Sequence, residues 1–279
     1  MRSVRKKLGV FVAVVLTTQI FLAISSLAAD FAPHPQTPYA TNFIAACEGQ
    51  KWFINEVERL LNSEQKTLDT ITAASDFDHI KSIGLKDQNI TGKIPPAIGE
   101  LKELRYLFLP GNHLSGDIPS TLYSLPKLQN IDLSGNNYAG PIPSEFGTMT
   151  ALTTLILKDN HYTGSIPESI LSNPQIEVLN LMGNQLTGGI PNGISSMTGL
   201  TYLNLSENEL GGTIPDLSSL TSLISLSMWD CGLTGMIPDS LYSLDGLQIL
   251  DLSDNKLEGD GSAVVFATLG RMLTAAGMA

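Results

Sequence analysis

An asparagine returns along this chain every 23 or 24 residues: Asn89, Asn112, Asn136, Asn160, Asn184 and Asn208, then Cys231 in the seventh slot and Asn255 in the eighth. Each stands in a fixed apolar frame. One copy reads Leu104, Leu107, Leu109, Asn112, Leu114, Gly116, Ile118, Pro119, and the next Leu128, Ile131, Leu133, Asn136, Tyr138, Gly140, Ile142, Pro143. Other copies start at Ile80, Leu152, Ile176, Leu200, Leu223 and Leu247, eight in all. A period of this length means a solenoid, because one copy cannot bury its apolar face alone and a stack of copies can.

Within a copy, Leu107 and Leu109 alternate with Tyr106 and Phe108, the two-residue period of a strand with one buried face. Successive strands are expected to stack in parallel. The eight slot residues are expected to form a structural ladder, each side chain bonding the backbone of the neighbouring coil. A satisfied group of this kind is worth about 1 kcal/mol and an orphan costs about 1–3 kcal/mol. Cys231 is small and buriable but only a weak donor. Gly116 and its counterparts permit a turn, and the Ile-Pro pair carries the chain to the convex side. The segments that follow Pro are too short for more than single turns or 3₁₀ pieces.

This L-x-G-x-I-P signature runs from Ile80 to Gly259. It resembles the plant-type class of leucine-rich repeats, as in receptor-like kinase ectodomains and polygalacturonase inhibitors. The resemblance implies an α/β solenoid: a superhelix with a parallel concave sheet, one strand per repeat, and a helical N-terminal cap. It also implies a second short strand near Thr91, Ser115, Thr163 and Thr187. The cap departs from the plant pattern of paired cysteines, since only Cys47 stands near Trp52. In that respect it is more similar to the caps of secreted bacterial repeat proteins.

The ends divide as follows. Arg2, Arg5, Lys6 and Lys7 precede an apolar stretch and a run of small residues at 26–29, so 1–29 reads as a secretory signal peptide, with a retained membrane anchor as the alternative. Residues 30–39 are a proline-bearing linker and 40–79 the N-terminal cap, with one amphipathic helix over 40–62 and a lone strand at 68–72. The eight repeats fill 80–260, and 261–279 is a tail or cap helix. Cys47 and Cys231 stand six repeats apart, about 30 Å at ordinary strand spacing, which predicts two free thiols.

Composition excludes several functions. A net charge of −11 argues against nucleic-acid or anionic-membrane partners. Apart from the first 29 residues, no segment is long and apolar enough to span a membrane. No nucleophile elbow, phosphate loop or dinucleotide fingerprint is present, so catalytic residues, metal ligands and cofactors are all expected to be none. His113 and His161 lie two repeats apart, too far to share a metal. Two glycosylation sequons occur, Asn89-Ile90-Thr91 and Asn204-Leu205-Ser206. The first is expected to be buried in the ladder, the second to face the concave sheet.

Candidate binding residues are the outward strand positions. Tyr106, Phe108, Ile156 and Val178 form one expected cluster, Tyr202 and Trp229 a second, with Asn130 between as a polar contact. Large apolar groups pointing away from a core mark interfaces, although such residues also suit strands for their own sake. Glu207, Asp230 and Asp254 line one edge, with Asp251 nearby. The leading expectation is a secreted or cell-surface module binding a protein or peptide, or secondarily a glycan, on its concave face. A structural or adhesive repeat protein is the alternative. Ice binding through Thr91, Thr163, Thr187, Thr213 and Thr234 is the remote one.

Overall fold

The computed structural model describes residues 37–258. The expected signal peptide at 1–29, the expected linker up to residue 36 and the expected tail or cap helix at 261–279 therefore lie outside the described residues. No helix among the described residues is long and apolar enough to cross a membrane.

Two helices open the cap, α1 (Pro38–Ala46) and α2 (Lys51–Asn62). This corrects the single helix expected over 40–62. Glu48 and Gly49 stand at φ of 49° and 70°, a left-handed pair that ends α1 and reverses the chain. The reversal brings Phe43 against Phe53, centroids 6.2 Å apart, and against Phe77 at 4.7 Å. The linker expectation to residue 39 is also corrected, because Thr37 caps α1 by accepting from Ala40 N at 3.0 Å and Pro38 occupies the first turn, where its missing N–H costs nothing. The expected strand at 68–72 is a series of turns. Leu68 and Ile71 are buried, but Leu68 N donates to Glu58 Oε2 at 2.8 Å rather than to a neighbouring strand.

From Ile80 onward each coil contributes one concave strand. β1 (Ser82–Gly84), β3 (Tyr106–Phe108), β5 (Asn130–Asp132), β7 (Thr154–Ile156), β9 (Val178–Asn180), β11 (Tyr202–Asn204), β12 (Ser225–Ser227) and β14 (Ile249–Asp251) follow one another in a single eight-stranded sheet. All pairings are parallel. The middle residue of each strand turns inward; Ile83, Leu107, Ile131, Leu155, Leu179, Leu203 and Leu226 are fully buried.

Behind the turn, shorter strands pair in the same sense: β2 (Thr91–Gly92) with β4 (His113–Leu114), β6 (Ala139–Pro141) with β8 (His161–Gly164) and β10 (Gln185–Leu186), β13 (Thr234–Met236) with β15 (Lys256–Glu258). The convex side carries α3 (Ser120–Tyr123), α4 (Glu168–Leu171) and 3₁₀ turns, the most that four or five residues between Pro and the next coil allow.

The ladder closes the coils. Asn136 Nδ2 donates to Leu109 O of the preceding coil at 2.9 Å and to Leu133 O at 3.0 Å in its own. Its Oδ1 accepts from Leu114 N at 2.9 Å. Asn112, Asn160, Asn184, Asn208 and Asn255 repeat that pattern. Cys231 donates Sγ–H to Leu205 O at 3.2 Å.

Asn89 does not belong to the ladder. Ser82 pairs with Tyr106, a step of 24, so the residue equivalent to Asn112 is Gln88. That longer side chain folds back on Lys86 O at 2.9 Å. Asn89 lies one residue further on, exposed and at φ 53°.

Candidate binding face

Strand register sorts the outward side chains into two rows. The first runs Ser82, Tyr106, Asn130, Thr154, Val178, Tyr202, Ser225, Ile249, and the second Gly84, Phe108, Asp132, Ile156, Asn180, Asn204, Ser227, Asp251. Neighbours within a row are about 4.8 Å apart.

Tyr106 and Phe108 share β3, and their rings lie near parallel with centroids 6.1 Å apart. Tyr106 is 38% exposed, while Phe108 is half-buried. Register does not hold the expected four-residue cluster together. Val178 is directly beside Tyr202, and Asp132 stands between Phe108 and Ile156. The apolar face is thus a pair of aromatics on the second coil, the adjacent Val178 and Tyr202 further along, and Trp229 at the rim beyond β12. Ile249, in the same row and 50% exposed, stands on the last strand with Ser225 between it and Tyr202. Its place in the strand alternation was the signal for it.

Most polar members of the second row are spoken for. Asp132 Oδ1 accepts from Ser134 N at 2.9 Å, Asn180 Oδ1 from Met182 N at 3.2 Å, Asn204 Oδ1 from Ser206 N at 3.0 Å and Asp251 Oδ1 from Ser253 N at 3.1 Å. These are Asx turns that end the strands. Asn204 is buried, and its Nδ2 donates to Tyr202 OH at 3.3 Å. Its sequon is therefore enclosed although it lies in the outward row. Asn130, half-buried in the first row, makes no such side-chain bond among the described residues. Trp229 follows β12 at the rim, where its backbone N–H donates to Ser206 Oγ at 3.1 Å, and that hydroxyl lies 2.9 Å from Ser227 Oγ.

The acidic edge has a backbone cause. Asp87, Asp159, Glu207, Asp230 and Asp254 all occupy the residue before the ladder slot, each at φ between 50° and 55°. Asp87 and Asp159 are paired with their neighbours Lys86 and Lys158 at 3.8 and 3.2 Å. Glu207, Asp230 and Asp254 form no ion pair among the described residues. No group of three or more His, Cys, Asp or Glu among the described residues is placed to hold a metal ion. Both cysteines are free and buried, and burial pushes each thiol up to about 12, which leaves no thiolate for chemistry at neutral pH.

The threonine row expected for ice binding is not an in-register array. Thr163 is flanked by Pro141 and Gln185, Thr91 by His113, and Thr234 by Lys256. No two threonines meet side by side in these pairings.

Leucine-rich-repeat profiles match residues 150–210, 102–146, and 222–244 with 246–267. Over 82 residues the chain is 37% identical to a probable leucine-rich-repeat receptor-like serine/threonine-protein kinase of Arabidopsis thaliana, which is 29% of this chain and 8% of that protein. The chain thus spans less than a tenth of that relative. Among solved structures it is similar to the Arabidopsis receptor kinase HAESA in complex with a peptide hormone and a co-receptor. The TM-score is 0.61 at 33% identity, over 64% of this chain and 30% of that one. It is also similar to a plant ice-binding protein, with a TM-score of 0.66 at 26% identity over 83% of this chain and 76% of that one.

Proposed function

For a chain that is a leucine-rich-repeat protein of the plant type, we propose a secreted or cell-surface role as a non-catalytic module that binds a protein or peptide on its concave sheet. The observation that carries this reading is the set of large apolar side chains held outward on that sheet, Tyr106 with Phe108 and Val178 with Tyr202 and Trp229. Asn130 and Ile156 complete the face between them. Rigid aromatics bring much contact area for little ordering cost, and the ladder fixes the sheet that carries them. Binding of peptide ligands by solved relatives such as HAESA supports the same reading.

The test is selection of binders from a displayed peptide library against the full chain. Tyr106→Ala with Phe108→Ala, and separately Tyr202→Ala with Trp229→Ala, should weaken a selected ligand at least tenfold while each variant still unfolds cooperatively. Binders that tolerate both double variants would count against the concave face.

The likeness to a plant ice-binding protein supports a second reading, growth inhibition of ice by the face bearing β2, β4, β6, β8 and β10. The broken threonine register weighs against it. Thermal hysteresis of the purified chain that disappears on Thr163→Leu would establish that reading instead.

A further inference from the structure

The two sequons have opposite structural fates. Asn204 is buried, with Oδ1 on Ser206 N and Nδ2 on Tyr202 OH. A sugar on that nitrogen would need the space that Tyr202 OH and Met182 Sδ occupy beside it. Asn89 is exposed, and its side chain enters no hydrogen bond among the described residues. The segment that carries it is pinned from its middle. Ile90 is buried, its N–H donates to Asn112 Oδ1 at 3.0 Å, and its carbonyl accepts from His113 N at 2.7 Å. Asn89 and Thr91, either side of that anchor, are both exposed. The amide and hydroxyl that an N-glycosylating enzyme must engage therefore lie outward together, while the residue between them is the one the fold holds.

We infer that Asn89 is an acceptor for an N-linked oligosaccharide, the site lying on the rim between β1 and β2. In the transfer, Asn89 Nδ2 forms a bond to the anomeric carbon of an oligosaccharide carried on a lipid diphosphate. The carbon–oxygen bond to that diphosphate breaks, the diphosphate leaves with the electron pair, and the amide loses one proton to a base of the transferring enzyme. Nothing in the fold has to move to accommodate the product, because a glycan there projects into solvent. The inference rests on the extracellular reading proposed above, since the donor is met only on a secretory route.

The experiment is expression of the full 279-residue chain in insect cells, once as it stands and once with an added secretion leader. Intact masses are then compared before and after treatment with an N-glycan amidase. One glycan is expected on the secreted protein, with the amidase converting position 89 to aspartate. Asn89→Gln and Thr91→Ala should each abolish the shift, and Asn204→Gln should leave it unchanged. Thr91→Ala keeps the asparagine, so a folding defect in one variant cannot imitate the result in both. A secreted protein without glycan, or a glycan that survives Asn89→Gln, overturns the site. Secretion and glycosylation only with the added leader would count against the extracellular reading while leaving the acceptor intact.

Discussion

Asn160 donates through one nitrogen to Leu133 O and Leu157 O and accepts at Oδ1 from Tyr138 N. Truncation to alanine would orphan buried groups in two coils at once, so Asn160→Ala is expected to cost about 3 kcal/mol, read as a drop in the urea midpoint. Cys231 illustrates the milder case. It donates to Leu205 O, but it offers no oxygen to Leu210 N, the amide that an asparagine in this slot would receive. Cys231→Asn should therefore raise stability by about 1 kcal/mol, and unchanged urea unfolding would refute the argument. Both native thiols, held protonated by burial up to about 12, should resist aromatic disulfide reagents at pH 8 until the chain is unfolded. Tyr138 and Tyr162 add a different liability. Their rings are parallel at 6.2 Å, both hydroxyls are buried without a hydrogen-bond partner among the described residues, and burial drives both phenols well above their ordinary range.

At the scale of elements, the cap does for the first coil what every later coil receives from its predecessor. Gln50, just before α2, accepts from Lys93 N at 3.1 Å. Glu48 reaches Lys93 Nζ at 2.6 Å, and Tyr39 OH donates to Glu100 at 2.5 Å. Gly92 is required beside it: at φ 90°, an added Cβ would sit 2.2 Å from Gln50 Oε1. Gln50→Ala should cost about 1 kcal/mol and selectively speed amide exchange at 90–93; uniform exchange along the chain would argue against this docking. The cap also carries an acid-sensitive joint. Lys66, aided by the Thr72 and Ala73 amides, holds Asp76 down at about 2. A depressed carboxylate stabilises the fold above its unfolded value near 4, and that contribution is lost as pH falls towards 2. Asp76→Asn should flatten the stability profile across that window. These joints explain what sequence could and could not show. The repeat was legible because each coil restates the same apolar spacing. The cap was not, because a helix break at Glu48–Gly49 and a loop held by Glu58 are single events with no period. Asn89 was misassigned for a related reason: counting asparagines cannot distinguish a slot filled by Gln88 from its neighbour. The binding rows were legible as strand alternation, but their division between outward contacts and Asx turns depends on side-chain bonds that alternation does not encode.

Across the whole molecule, charge is distributed unevenly along the axis. Residues 37–127 hold 11 Asp and Glu against 9 Lys and Arg, whereas 128–258 hold 14 against 2. The outward side chains Val178, Tyr202, Trp229 and Ile249 therefore lie in the acidic part, which also carries Glu207, Asp230 and Asp254, succeeding one another in adjacent coils at left-handed φ. Like charges on neighbouring coils, about 5 Å apart along the stack, repel each other, and the Glu207 side chain is held in a backbone region that asparagine tolerates better. Both effects point the same way. The triple variant Glu207→Asn, Asp230→Asn, Asp254→Asn is expected to gain roughly 0.5–1 kcal/mol in low salt, with the advantage shrinking once the screening length falls below about 10 Å near 0.1 M. The same three carboxylates should favour basic ligands for the C-terminal part of the face, so the variant that gains stability should lose affinity for a cationic peptide selected on the parent chain, and that loss should also fade with salt. Calorimetric unfolding and peptide titration at low and high ionic strength read the two quantities separately. A stability gain that persists undiminished in high salt would assign the effect to backbone conformation alone, and an affinity unmoved by the triple change would remove these carboxylates from the binding face.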